Sequence, residues 1–441
     1  MNYPESIEYL FALQRIGMRM GTSVTASLLE RLANPQRSFP SVLVAGTNGK
    51  GSTAAFLSSI LKEAGLRAGR YTSPHLERFE ERIVVDGSEI PPHSVAKLAS
   101  AIRKESDAMA AREGGETAPT FFETATAMAF LHFKEEKVDV AVLEVGMGGR
   151  LDATSVVDAV ACLFTPIDLD HREQLGNTLE EVASEKAGIL KARSRALTAP
   201  QEPVVMQVLK RSAAVRGANL LESDQIWRPM EGSRNTLTLV SGGDPSRRIE
   251  GLSLPLPGRH QWTNAALAAA AAARLPGFQE RIDEATLRRG LLETRWPGRC
   301  ELLPYRPPIL LDGAHNPAAA RALRSFLIEN YTSKGKRVVM VFGAMKDKDL
   351  PGTMEPLFSC AGKVIVTRAE TPRAADPAVL ESLAKRYHGS VVRAPSLSAA
   401  LSAAREEAGE SDLICVTGSL YLVGDLKILL GGGEPSSRHA L

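Results

Sequence analysis

Long apolar runs are missing from this 441-residue chain; the longest, residues 265–273, is short and mostly alanine. A bilayer-spanning helix needs about 20 apolar residues, so this run reads as a packed helix and no membrane partner is expected. The N-terminal stretch mixes Glu5, Glu8, Arg15 and Arg19 into a helix-like pattern, without the continuous apolar core of a secretory signal. Cysteine is scarce: Cys162, Cys300, Cys360 and Cys415 are scattered and form no C-x-x-C pair. That argues against a disulfide framework or a paired-cysteine zinc site and fits a reducing compartment, so the cytoplasm is the expected location. An excess of one charge is lacking too. A formal net charge of +2 gives no reason to expect nucleic acid or an anionic membrane as partner, and leaves room only for a local basic cleft. There is no internal repeat, and only the C-terminal GGEPSSRHAL reads as a disordered tail.

What is present is an ordinary globular composition, 44% hydrophobic and 24% charged, long enough for two or three domains. Short β-branched runs alternate with longer helical patterns, the mark of β-α units and a parallel sheet. Residues 41–45 (SVLVA), 138–145 (VDVAVLEV) and 160–167 (VACLFTPI) read as strands buried on both faces. Residues 217–258 alternate short polar and apolar stretches and read as antiparallel hairpins; helices follow at 264–274 and 283–293. A second strand series, at 309–311, 337–342, 364–367, 391–393 and 412–416, follows Trp296-Pro297-Gly298-Arg299. The expected architecture is α/β, with domains at 1–296 and 297–441. The first carries a mainly parallel sheet and a small antiparallel β subdomain; the second is smaller and Rossmann-like.

In such sheets ligands bind at the carboxyl ends of strands. The first strand there runs into GTNGKGST, which departs from the phosphate-loop pattern G-x-x-x-x-G-K-[ST]. Only two residues separate Gly46 from Gly49, and Gly51 stands where a hydroxyl should follow Lys50. The strand–loop–helix context still presents backbone N–H groups and a helix N-terminus to an anion. Lys50 would add charge at the β- and γ-phosphates, and Ser52 or Thr53 a hydroxyl to Mg²⁺. A plain glycine-rich turn is the alternative. The cluster Gly146-Met147-Gly148-Gly149-Arg150 is not a dinucleotide fingerprint, because Leu151 occupies the third glycine position; it reads as a loop of close approach.

Mg²⁺ is satisfied by one or two carboxylates plus phosphates and water. Glu144, at the end of an apolar strand, is the first candidate; its alternative is a buried pair with Arg150. Asp168, Asp170 and His171 form a second acidic cluster after the next strand. The N-K-x-D signature of guanine recognition is absent from Thr165-Pro166-Ile167-Asp168, which favours adenine.

Together the motifs resemble folylpolyglutamate synthases and the bifunctional dihydrofolate synthase/folylpolyglutamate synthases of the Mur ligase family, over nearly the whole chain. They are GTNGKGS at 46–52, YTSPHLERFEER at 71–82, Phe121-Phe122-Glu123, LEVGMGGRLDA at 143–153, Asp170-His171 and SEKAGI at 184–189. They continue with HQWTN at 260–264, WPGR at 296–299, DGAHNP at 312–317 and VTGSLYLVG at 416–424. The shortened phosphate loop is this family's form. The resemblance implies ATP phosphates on Asn48, Gly49, Lys50, Gly51 and Ser52, and Mg²⁺, as one or two ions, near Ser73, Glu144 and His171. It implies a carbamylated Lys186, which the local sequence alone would make a surface helix lysine. Asn264 is implied for adenine, Arg299 and Asp312 for phosphate and ribose, and His315 and Ser419 for glutamate or nucleotide. Thr120, Phe121, Phe122, Glu123, Leu151, Asp152 and Ala153 match segments near the pterin and p-aminobenzoyl groups, with core packing the alternative for both phenylalanines. The family commonly has a Gly-x-Pro turn after SEKAGILK; Ala192-Arg193-Ser194-Arg195 stands there instead.

The implied reaction is ATP-dependent addition of L-glutamate to a folate or to dihydropteroate through an acyl phosphate, in a monomer. Lys50, Lys186 and His171 are the expected catalytic groups, and closure of two domains would exclude water from the intermediate. The rival readings are a related ligase of a peptidoglycan precursor and a nucleotide-dependent binding module without ligation. The early position of the phosphate loop weighs against the first.

Overall fold

The computed structural model describes residues 1–17, 19–113 and 117–433; most of the expected tail, residues 434–441, lies outside them. The chain divides into two compact units, residues 1–255 with 261–295, and residues 256–260 with 296–441.

In the first unit the strands are β1 (Ser41–Ala45), β2 (Ala68–Tyr71), β3 (Ile83–Val85), β4 (Ser88–Glu89), β5 (Val140–Glu144), β6 (Ala161–Phe164), β7 (Arg195–Thr198) and β8 (Asn219–Glu222). They form one sheet in the order β4-β3-β2-β5-β1-β6-β7-β8. From β2 to β8 all neighbours are parallel, and β3 and β4 add an antiparallel edge. Every residue of β1, β5 and β6 is buried, as uninterrupted Val/Ala/Leu runs require when helices cover both faces of a sheet. The helix Lys50–Glu63 lies in the core: Gly51 to Ser58, Ile60 and Leu61 are all buried. β1 sits between β5 and β6, so the loops leaving these three carboxyl ends converge.

The three predicted strands are present; β1 matches its expected bounds, while β5 and β6 are shorter, because Val145 and Thr165 already belong to the exit loops. The stretch expected to form hairpins splits. Asn219–Glu222 joins the edge of the main sheet in parallel with β7, while β9 (Trp227–Glu231), β10 (Leu237–Ser241) and β11 (Arg248–Leu252) make a three-stranded antiparallel sheet. The alanine-rich run is a buried helix, Arg259–Ala272, which starts before the expected position. The unusual Ala192–Arg195 turn closes without glycine. Arg193 takes a positive φ of 60°, and Ser194 N–H and Oγ both donate to Lys191 O.

The second unit holds β12 (Glu301–Leu303), β13 (Ile309–Leu311), β14 (Val338–Phe342), β15 (Lys363–Val366), β16 (Val391–Arg393) and β17 (Leu413–Thr417), in the order β12-β13-β17-β14-β15-β16. All pairings are parallel except the edge pair β12 with β13. β12 was not anticipated: an exposed edge strand of sequence ELL lacks the β-branched residues that mark the others. Leu310, Met340, Phe342, Leu357 and Val364 centre this unit's own core. The architecture is therefore α/β throughout, with a large mainly parallel sheet, a small antiparallel sheet and a C-terminal α/β unit.

Candidate active site

The loop at residues 46–52 leaves β1 and enters the helix Lys50–Glu63. Gly46, at φ +146°, passes so near the β6 exit that a Cβ there would lie 1.9 Å from Thr165 Oγ1. Gly49, at φ +88°, would place one 2.3 Å from Asn264 Oδ1. Any side chain at either position must displace the neighbour as well as strain the backbone. Between them, the N–H groups of Thr47 and Asn48 donate to Pro166 O at 3.0 and 3.3 Å. The Thr47 hydroxyl donates to Asp168 O at 2.7 Å and accepts from Asp168 N–H at 3.0 Å. The loop is thus fixed from its β6 side. The N–H groups of Lys50, Gly51 and Ser52, in the first helical turn, have no carbonyl four residues earlier within the helix. They present the positive end of the helix to an anion.

Two amines flank this turn. Lys50 Nζ donates to Thr47 O at 3.2 Å, and Lys186 Nζ donates to Gly46 O at 2.8 Å. Lys186 is 5% exposed, so the surface-lysine alternative is wrong: the helix Leu179–Ala187 turns this residue inward. Burial lowers its pKa to about 7, the Lys50 charge adds to that, and Asp170 and Asp152 oppose it. A positive charge on Lys186 is therefore disfavoured beside Lys50 and the amide-lined turn, and an anion bound there would favour it.

Glu144, 5% exposed, ends β5 beside Val44 of β1. Its Oε2 accepts from Ser73 N–H at 3.0 Å. Arg150, the proposed alternative partner, bonds Glu185 at 2.9 Å, and Glu144 acts electrostatically on Arg70, on β2. His171 follows β6 at φ +51°, its N–H donating to Asp170 Oδ1 at 2.8 Å. Among the described residues no three His, Cys, Asp or Glu groups stand together as a metal cage. Mg²⁺ needs less: a carboxylate and a hydroxyl beside phosphate oxygens and water satisfy it, so Glu144 with Ser73 fits the ion. Thr53 Oγ1, buried without a hydrogen-bond partner, is a further spare oxygen one turn into the helix.

The residues matched to pterin contacts divide by what they already do. Thr120 and Glu123 form a capping box: Glu123 N–H donates to Thr120 Oγ1 at 3.3 Å, and Thr120 N–H to Glu123 Oε2 at 2.8 Å. Such a pair satisfies two helix-end donors at once. Phe121 stacks on Phe11, with ring centroids 5.7 Å apart, beneath the Arg82 guanidinium at 5.0 Å. Phe122 lies against Gly146, where a Cβ would come within 2.5 Å of its ring. Asp152 is buried. Desolvation raises its pKa against bonds from Thr154 and Met147, and its carboxylate ties down the glycine loop. Ala153 is buried and Leu151 O accepts from Gly21 N–H at 3.0 Å. Gly149 passes under the 185–186 backbone, where a Cβ would meet two carbonyls at 2.8 Å.

In the second unit, Asp312 follows β13 and Ser419 follows the adjacent β17. Asp312 Oδ2 accepts from Cys300 N–H and its Oδ1 from Ala314 N–H, both at 2.9 Å. Arg299 Nη1 donates to Gly298 O at 3.1 Å, and His315 Nδ1 lies 2.8 Å from Gly313 O. Ser419 Oγ caps the helix Leu420–Leu430 by accepting from Tyr421 N–H at 3.1 Å.

Residues 44–272 match the Mur ligase middle domain, and residues 298–420 match the Mur ligase glutamate ligase domain. A dihydrofolate synthase/folylpolyglutamate synthase of Bacillus subtilis is 34% identical over 96% of this chain and 98% of its own length. This chain belongs to the folylpolyglutamate/dihydrofolate synthase group of the Mur ligase family. A probable bifunctional folylpolyglutamate synthase/dihydropteroate synthase of Halobacterium salinarum is 38% identical over 97% of the chain, which spans 51% of that relative's length. Among solved structures, Mycobacterium tuberculosis folylpolyglutamate synthase complexed with ADP superposes with a TM-score of 0.89, at 33% identity, covering 98% of this chain and 99% of that one.

The structure also brings out groups near these loops that motif reading passed over. Arg70 was detectable as a charge inside the apolar run AGRY. Arg82 donates through Nε to His75 Nδ1 at 2.8 Å; both stood inside a quoted motif with no role. The Pro166 carbonyl leaves no side-chain signal at all.

Lys186 yields a pH prediction. Its folded pKa, about 7, lies below the usual 10.5, so the unfolded chain holds the proton more tightly and stability rises with pH between those values. In carbonate-free buffer, the stability of wild type minus Lys186→Met is expected to increase across that window in urea titrations. A flat difference would mean that Lys186 is not a buried amine with a lowered pKa.

Proposed function

We propose that this chain is an ATP-dependent ligase that joins L-glutamate to a folate or to dihydropteroate through an acyl phosphate. The observation that carries this reading is the amide-lined turn at Lys50, Gly51 and Ser52 with two lysine amines beside it, in a chain matched end to end with named synthases of this kind. The turn and Lys50 hold the β- and γ-phosphates. The substrate carboxylate oxygen attacks the γ-phosphorus, the bond to ADP breaks, and the Lys50 charge stabilises the transferring group. The glutamate amine then adds to the acyl carbon and loses its proton as inorganic phosphate departs. Phe122, beside the Gly146 loop, is assigned to pack on the flat ring system. Asn264, against Gly49, is assigned to the nucleotide.

Mg²⁺ held by Glu144, Ser73 and His171 would neutralise phosphate charge when bound. On the second unit, Arg299 and Asp312 are assigned to nucleotide, and His315 and Ser419 to glutamate or nucleotide. Ser419 has less freedom than the others, since its oxygen already serves as a cap. The substrates are small molecules, and the chain acts as a cytoplasmic monomer.

Lys186 supports carbamylation on chemical grounds. Only a neutral amine adds to carbon dioxide, and a lysine titrating near 7 is substantially neutral at physiological pH, whereas an ordinary one is not. Nζ would bond to the carbon and release a proton, turning a cation into a carboxylate-like donor for a second ion. Lys186→Ala is expected to lose activity and regain part of it with added short-chain carboxylic acids; full activity in the alanine variant would refute a required role.

The direct assay supplies ATP and glutamate with dihydropteroate or tetrahydrofolate. ADP release should require both organic substrates, with a glutamyl adduct visible by mass spectrometry. Lys50→Ala should lower this turnover at least about a hundredfold with its fold intact. Wild-type turnover in that variant would remove the phosphate-loop assignment, and ADP release without a glutamyl product would leave a nucleotide-binding module.

A further inference from the structure

We infer that Gln201 is a positioning residue for the nucleotide loop, acting through Pro166. The inference rests on the nucleotide reading above. The regular β6–β7 ladder ends at Phe164 opposite Thr198, and Ala199 N–H still donates to Phe164 O at 2.8 Å. The next step would need an N–H from residue 166, and proline has none.

The Gln201 side chain supplies the missing rung. Its Oε1 accepts from Ile167 N–H at 2.9 Å. Its Nε2 donates to Thr165 O at 3.0 Å and to Thr198 Oγ1 at 3.0 Å. A side-chain amide has one acceptor and two donors in a plane, and here it bonds the backbone on both sides of Pro166. The reverse orientation of the amide would set Nε2 against an N–H group, so the partners fix the assignment.

With its two neighbours held, Pro166 keeps its carbonyl on the opposite side, where it accepts from Thr47 and Asn48. Those bonds orient the loop before the turn at Lys50. The sequence of constraints therefore runs from β7 through Gln201 and Pro166 to the amides that meet phosphate. Gln201 needs no contact with the nucleotide.

Steady-state kinetics of Gln201→Glu and Gln201→Ala test this, alongside Lys50→Ala. At alkaline pH the introduced carboxylate keeps the acceptor for Ile167 but sets a second oxygen against Thr165 O. KM for ATP should rise about tenfold, the effect of losing one or two oriented hydrogen bonds, with kcat and KM for glutamate close to wild type. As pH falls, protonation of that carboxyl restores a donor, so the ratio of Gln201→Glu to wild type should recover, while Gln201→Ala stays impaired. A wild-type KM for ATP in both variants, or a lowered melting temperature with unchanged KM, would overturn the inference. Should Gln201→Ala fail to fold, the pH series on Gln201→Glu decides alone. If Lys50→Ala loses ATP but the Gln201 variants do not, only this inference falls. If Lys50→Ala also keeps wild-type affinity, the nucleotide reading falls first.

Discussion

The structure depends on the lack of space around one loop. Residues 46–52 run between Thr165 and Asn264 with no room for a Cβ at Gly46 or Gly49, and the Pro166 carbonyl takes two of the loop's N–H groups. A longer loop would bulge out of this slot. The shortened spacing is therefore the length that fits between β6 and the helix Arg259–Ala272, and with the Thr47 and Asn48 amides taken by Pro166 it leaves the amides of the first helical turn for an anion.

The electrostatics follow from that confinement. A loop pressed against the carboxyl ends of the inner strands brings Lys186 to the Gly46 carbonyl, and burial there lowers the amine to about 7. Lys50 pushes it further in the same direction, while Asp170, Asp152 and the nearby Glu144 keep the region from being simply basic. A net charge of +2 over the chain conceals this local separation of sign. An anion of several charges, with a hard cation to balance the carboxylates, is the ligand such an arrangement favours.

The sequence made the strand–loop–helix context legible, because apolar runs between glycine-rich segments report burial on both faces directly. β1 agreed to the residue. The ends of β5 and β6 did not, since hydrophobic residues continue into buried loops and composition does not mark where a ladder stops. Lys186 was invisible as a buried group: LEEVASEKA reads as a solvated helix, and only the tertiary fold turns that face inward. The side-chain amide of Gln201 and the Pro166 carbonyl are long-range constraints, and no local pattern encodes them. Thr120, Glu123 and Ser419 show the converse. Their motif positions were clear, yet the structure has each serving a helix end; T-x-x-E spacing announces that purpose for Thr120 and Glu123, while Leu422 denies Ser419 the same signal.

The central claim is that ATP in this loop activates a carboxylate. Dihydropteroate labelled with heavy oxygen in its carboxylate, turned over with ATP and glutamate, tests it most directly. One labelled oxygen is expected to leave with each inorganic phosphate, because that oxygen bridges carbon and phosphorus in the acyl phosphate. Unlabelled phosphate, with the glutamyl product still formed, would contradict it.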